Sequence, residues 1–306
     1  MEISVLLIAN DMARELPRTL QSLARNYQLD AGELDYEVLL VDLGSEQVPV
    51  STNKTDLPLR QIACPPDVTS TAQAINLALA QAKGNLICLM SNAANILTPG
   101  AFRIAKACQA AFENPLVALR DFHIGMDEHT VSVPRGFDLL AENDFLQRIN
   151  WPEDGYRLFE VGIPVRAGAK NLTWFNQMLE SHCLFMQRTV FEAIGGADEH
   201  FTLVNGGFLN LDILKRASEA LGVTPVHIIG EGCFRQLHGD AITNSNSAER
   251  DHRLASYRQQ YCKIRGHDEL IADKPCFYMG SMLTGASNIT ARERRKARLA
   301  TKAQSA

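Results

Sequence analysis

Between Val68 and Phe112 the sequence has no aspartate and no glutamate, although the chain of 306 residues carries 35 acidic side chains. Hard divalent cations take carboxylate oxygens, so this stretch alone offers no carboxylate-held metal. Residues 9–18 have no glycine, which speaks against an early phosphate-cradling loop of the nucleotidyltransferase kind. The seven cysteines, Cys64, Cys88, Cys108, Cys183, Cys233, Cys262 and Cys276, form no CxxC pair and have no metal-ligand spacing. An odd, unpatterned set excludes a disulfide scaffold and points to a reducing, cytoplasmic setting. The apolar run from Ile3 to Ile8 is too short for a membrane span or a signal peptide. A net charge of −5 argues against nucleic acid as a general partner.

What is present is an ordinary globular composition, 46% hydrophobic and 21% charged, with material for a sizeable core. Ile3 to Ala9 and Tyr36 to Val41 are branched apolar runs, the pattern of central parallel strands covered on both faces. Leu16, Leu20 and Leu23 predict a helix to about Tyr27. Leu59 to Cys64 reads as a third strand. Ser70 or Thr71 can cap a helix with Ala74, Ile75, Ala78, Leu79 and Ala82 inward, stopped by Gly84. Leu86 to Met90 is a fourth buried strand emptying into the polar turn Ser91 to Asn95. Pro99 then suits the first turn of a helix reaching about Phe112. The alternation predicts a doubly wound parallel sheet, with ligands at its carboxyl edge.

The second half is less regular. Leu116 to Phe122, Thr130 to Val133, Ser181 to Met186, Val226 to Ile229 and Cys233 to His238 read as strands. Thr189 to Ile194, Asn210 to Leu221 and residues 250–262 read as helices. Residues 135–178 have no clear period but hold both tryptophans, Trp151 and Trp174.

Several motifs stand in one order. Ser4 to Asp11, followed by Glu15-Leu16-Pro17-Arg18-Thr19-Leu20 and Ser22-Leu23, resembles SVVIPTYN with LPRTLxSL. Val41 to Ser45 resembles VDDGS. Ala74-Ile75-Asn76 with Ala82-Lys83-Gly84 resembles ARN…ArG, and Phe191 to Glu199 resembles FeevGGFDE. Gly206-Gly207 through Asp212, with Arg216 and Gly222, resembles GGxEDxDLxxR…G. Together, over roughly residues 3 to 240, they resemble the family 2 glycosyltransferases of the GT-A fold.

The resemblance implies an α/β fold of GT-A type, a mostly parallel central sheet flanked by helices. It implies transfer of a sugar from a nucleotide-sugar donor to an acceptor hydroxyl on a glycan or lipid-linked acceptor. By position, Ala9, Asp11, Asp42, Asn76, Ser91, Asn92 and Ala93 would form the nucleotide-sugar site. Asp212 and His238 would be the catalytic candidates. Trp151, Glu153, Asp154 and Trp174 suggest an acceptor site, since sugar rings stack on aromatics and carboxylates take hydroxyls.

The departures fall on acids. The family's metal-binding Asp-x-Asp aligns with Ser91 and Ala93, or with Asn92 and Ala94. Its Glu-Asp pair aligns with Leu209-Asn210, and the second aspartate of VDDGS with Leu43. A Mg²⁺ or Mn²⁺ ion would lack its usual carboxylates, and phosphate charge would fall to basic groups such as Arg135, Arg166, Lys170, Arg235 or His238. Asp212 reads either as a surviving acid/base or as the partner of Arg216 one helical turn on. The alternative to an active transferase is a degenerate GT-A protein that binds nucleotide or glycan, or regulates a partner. Residues 1–245 are expected to form one domain, with nucleotide-binding (1–115) and acceptor (116–245) halves. Residues 246–306 are expected to form a helical extension. Its basic run Arg292 to Arg298 is either a solvated helix or a peripheral contact with anionic lipid.

Overall fold

The computed structural model describes residues 1–44, 56–166, 173–238 and 247–282. Its first half follows the apolar pattern. Strand β1 (Ile3–Ala9) leads to helix α1 (Leu16–Leu23), then β2 (Tyr36–Asp42) and β3 (Leu59–Ile62). Helix α2 (Thr71–Gln81), β4 (Leu86–Met90), a short β5 (Asn95–Leu97) and α3 (Ala101–Ala111) follow. Ser70 caps α2 by accepting from the Gln73 N–H at 3.2 Å, and the Gln73 side chain reaches back to the Ser70 N–H. This reciprocal box satisfies two otherwise orphaned donors.

The second half comprises β6 (Pro115–Ile124), α4 (His129–Ser132), α5 (Leu139–Arg148), α6 (Leu158–Val161) and β7 (Gly162–Pro164). Then come β8 (Leu184–Gln187), α7 (Arg188–Ala193), α8 (Leu209–Glu219), β9 (Thr224–Arg235), α9 (Ser247–Arg265) and β10 (Phe277–Gly280). The strand expected at Thr130 to Val133 is instead α4 with a following 3₁₀ turn. The two strands expected from Val226 to His238 are one strand, β9, and α1 ends at Leu23 rather than Tyr27.

The sheet runs β10-β9-β6-β8-β4-β1-β2-β3, and only β8 on this path opposes its neighbours. This is a mostly parallel α/β sheet flanked by helices. Alternate residues of each central strand enter opposite cores, as a pleat with period two demands. Val5, Leu7, Val38 and Leu40 meet Leu16, Leu20 and Phe102 on one face. Leu6, Ile8, Leu39 and Val41 meet Ile75, Phe191 and Ile213 on the other. Gly84 lets β4 approach β1: a Cβ there would lie 2.5 Å from the Ser4 nitrogen.

Packing does not end near residue 245. Tyr261 of α9 is buried in the second core, and β10 pairs with β9. The expected helical extension is thus, through residue 280, tied into the sheet. The basic run Arg292 to Arg298 lies outside the described residues.

Candidate functional site

The register brings the strand ends together. Ala9 pairs with Asp42, Leu7 with Met90, and His123 of β6 with Arg235 of β9. The segment entering antiparallel β8, Glu180 to Cys183, starts from the same edge. There the structure opens a cleft of about 110 Å³, lined among others by Asn10, Ser91, Asn92, Glu180, His182, Asn210 and Arg235.

The turn after β4 is tightly tied. The Ala93 N–H donates to the Ile8 carbonyl at 2.8 Å, and the Ala93 carbonyl accepts the Thr19 hydroxyl at 2.6 Å. The Ala94 N–H donates to Asn92 Oδ1 at 2.8 Å, and Asn92 Nδ2 lies 3.4 Å from His238 Nε2. Ala93 and Ala94 are fully buried in the first core. Carboxylates at these positions would sit in hydrocarbon, so only Ser91 and Asn92 of this turn face the cleft. Asn95, expected in the turn, begins β5.

Behind the cleft lies a buried polar chain. His182 Nδ1 is 2.8 Å from Asp121 Oδ2, and the His182 backbone N–H donates to Asp121 Oδ1 at 3.2 Å. Arg235 Nη2 lies 2.7 Å from His182 Nε2 and 3.2 Å from Nδ1. One guanidinium nitrogen this close to both ring nitrogens lies against the face of the imidazole, so Asp121 holds the His182 ring while Arg235 rests on it. Burial, with His129, Arg235, His182 and His238 nearby, pushes His123 well below the ordinary histidine range. It stays neutral and accepts the His129 N–H at 2.7 Å.

The segment carrying Gln236 to His238 is clamped by Glu142 of α5. Its carboxylate accepts the Leu237 N–H and the guanidiniums of Arg18 at 3.1 Å and Arg14 at 3.3 Å. Burial raises the Glu142 carboxyl above its usual range, and these donors oppose the rise.

Other expected site residues lie elsewhere. The Ala9 side chain is buried in the first core, and Asp11 is exposed with φ +53° but does not line the cleft. Asp42 is half-buried at the end of β2. Asn76 does not line the cleft, and its side chain is engaged within the protein. It donates to the Ala197 carbonyl at 2.9 Å and Glu199 at 2.8 Å, and accepts the Ala197 N–H at 3.0 Å. Asp212 is 1% exposed, and its oxygens are taken by Arg216 at 2.7 Å and Arg265 at 2.5 and 2.8 Å. This geometry is that of an ion-pair anchor, not of a base open to an acceptor.

The aromatic group is likewise structural. The Trp151 indole donates to the Tyr27 hydroxyl at 3.2 Å, and Trp174 packs on Phe122 and Phe159. Glu153 is exposed, and Asp154 caps the Tyr156 N–H at 3.3 Å. None of the four lines the cleft. Of the proposed cations, Arg235 lines the cleft and His238 reaches its Asn92 wall. Arg166 instead pairs with Asp127, and Lys170 lies outside the described residues. Glu180, His182 and Asp121 were not legible as site residues, because only the reversed direction of β8 brings the first two to this edge.

The residues do not fit a carboxylate-held divalent cation. Ser91 and Asn92 offer neutral oxygens, and among the described residues no group of three or more His, Cys, Asp or Glu side chains could hold a metal ion. No described helix is long and apolar enough to cross a membrane.

No family model and no curated protein matches the chain. Solved structures do. A mannosyltransferase, PcManGT from Pyrobaculum calidifontis in complex with GDP-Man and Mn²⁺, is similar at 15% identity and a TM-score of 0.55, over 88% of this chain and 65% of that one. This chain thus spans slightly less than two thirds of PcManGT. TarS 1–349 from S. aureus in complex with UDP-GlcNAc is similar at 14% identity and a TM-score of 0.50, over 86% and 73%. At such identities the likeness defines the fold. It is the GT-A type that the motif order implies.

Proposed function

We propose that this chain is a glycosyltransferase of the family 2 kind that takes a nucleotide-sugar at the cleft and transfers the sugar to an acceptor hydroxyl. The observation carrying this is the cleft itself, at the carboxyl edge of a GT-A sheet, with Asn10, Ser91, Asn92 and Arg235 on its walls. The nucleotide-sugars bound to both structural neighbours support it. The leaving diphosphate gathers negative charge, and in this cleft Arg235 and polar donors meet it in place of a carboxylate-held metal. Glu180 is the one carboxylate among the described cleft-lining residues. It is assigned to accept the proton of the acceptor hydroxyl as that oxygen attacks the anomeric carbon and the bond to diphosphate breaks. Donor hydrolysis or transfer assayed in EDTA tests the reading. Turnover that persists and falls in Glu180→Gln supports it, whereas no turnover with any common nucleotide-sugar, with or without Mn²⁺, refutes it.

A second reading is favoured by Asn210. It stands in the cleft where the resemblance expects an acid, and an amide is no base. On this reading the chain binds nucleotide or glycan without turnover, as a binding or regulatory subunit. Calorimetric binding of a nucleoside diphosphate with no product in any assay would select it. Residues 1–280 are proposed to act as one unit, with a lipid-linked or glycan acceptor approaching the cleft.

A further inference from the structure

A second cavity of about 290 Å³ adjoins the cleft, between the 3₁₀ turn Val204–Gly206 and the first half of α9. Leu203, Arg253 and Ser256 line this cavity, while Val204 and Tyr257 line both it and the cleft. We infer that it is an acceptor subsite for a sugar bearing an anionic group, a carboxylate or a phosphate, with Arg253 as the counter-charge. The inference rests on the donor-site reading of the cleft and adds the chemical class of the acceptor.

The wall that the two spaces share is fixed. The Tyr257 hydroxyl donates to the Val204 carbonyl at 3.0 Å, and the Tyr257 ring is buried with its edge toward Phe208. Gly207 lets the turn lie on that ring: its φ is +56°, and a Cβ there would come within 3.3 Å of Tyr257 Cδ1. A molecule in the second cavity therefore meets the cleft at Val204 and Tyr257, as an acceptor must adjoin a donor. The volume lies near the lower end of small-molecule sites, about 300–1,000 Å³, the scale of a sugar unit.

The lining is apolar on the turn and cationic on the helix. Val204 is 55% exposed and, with Leu203, offers a surface for the C–H face of a sugar ring. Arg253 and Tyr257 are four residues apart on α9 and so share a face. Arg253 is half-buried, and its Nε is shut off from water with no hydrogen-bond partner. Among the described residues no carboxylate pairs with it. Glu249, one turn earlier, is exposed and engaged in an interaction of its own. A guanidinium without a counter-ion at a cavity wall favours an anion there, and its planar fork matches carboxylate and phosphate oxygens.

The test titrates the full chain with glucose, glucuronate and glucose 6-phosphate, which share a ring and differ in charge, followed by ligand-observed NMR. Calorimetry with UDP, GDP and dTDP on the same preparations reads the cleft. The subsite predicts that at least one of the two anionic sugars binds about tenfold or more tighter than glucose, the scale of a hydrogen bond to a charged group. Which of the two binds tighter identifies the acceptor's anionic group as carboxylate or phosphate. Arg253→Gln should bring the anionic sugars to within about twofold of glucose, and Arg253→Lys, which keeps the charge but not the fork, should retain part of the preference. Ser256→Trp, which fills the cavity from α9, should abolish binding of all three sugars. If wild type shows no preference for the anionic sugars, or the preference survives both Arg253→Gln and Ser256→Trp, the subsite is wrong, and nucleotide binding then leaves the donor reading standing. If the preference is lost in both variants but wild type binds no nucleotide, the anionic-sugar site holds and the donor reading falls.

Discussion

The turn after β4 and the start of α8 are two places where the motif pattern leads one to look for acids, and they have diverged. At the turn, Ser91 and Asn92 face the cleft while Ala93 and Ala94 are sealed in the core. On α8, Asn210 faces the cleft, whereas Asp212, one helical step inward, is kept and pinned by Arg216 and Arg265. The acid that the fold needs is present. Among the described residues lining the cleft, the one acid is Glu180, which comes from the segment entering β8.

The strongest way to break this contrast is Asp212→Ala. It strands two partly buried guanidiniums and should lower stability by about 3 kcal/mol, the cost of opening a buried ion pair. Denaturant unfolding measures this, and nucleotide affinity of the folded variant should not change. Loss of turnover with stability intact would instead make Asp212 catalytic. On the cleft side, Glu180→Gln should reduce turnover about hundredfold, the usual contribution of a general base, with unchanged nucleotide affinity and unfolding midpoint. A smaller change comes from Asn76→Ala, which removes three hydrogen bonds to the loop beside Arg216. It should cost about 2 kcal/mol in unfolding without altering nucleotide binding. Weaker still is the pH effect at the cleft end. His123 is buried neutral with its pKa depressed, so the unfolded chain takes the proton first as pH falls below about 6.5. Its contribution to stability is therefore present above that pH and lost below it. Unfolding of His123→Gln followed from pH 7 to pH 5 should be less steep by about 1 kcal/mol per pH unit, nearing about 1.4 at the acid end. An unchanged slope would show that His123 already takes a proton in the native state.

Most of the first half was readable because each element repeats one local signal. Branched apolar runs mark the strands, and the Ser70 box marks the start of α2. In the second half the signals were tertiary. The run at Thr130 to Val133 has strand-like residues, but His129 stacks on His123 and bonds its ring nitrogen, and the chain turns into α4. Trp151 and Trp174 looked like a sugar platform because isolated aromatics offer no clue to burial. Phe122, Phe159 and Phe234, far apart in sequence, gather with them as a third core. The edge of the sheet was legible from β1, β2 and β4, and so was the position of Ser91 and Asn92 at that edge. Glu180 and His182 were not, because their place depends on which way β8 runs.

The claim that ties these regions together is that fixed protein groups, not a carboxylate-held metal, meet the donor phosphates. The most direct measurement is calorimetric titration of the best-binding nucleoside diphosphate in EDTA and again in saturating Mn²⁺. The account predicts dissociation constants that agree within about twofold, well below one decade of affinity. Tightening by about tenfold or more in Mn²⁺, reversed by EDTA, would contradict it.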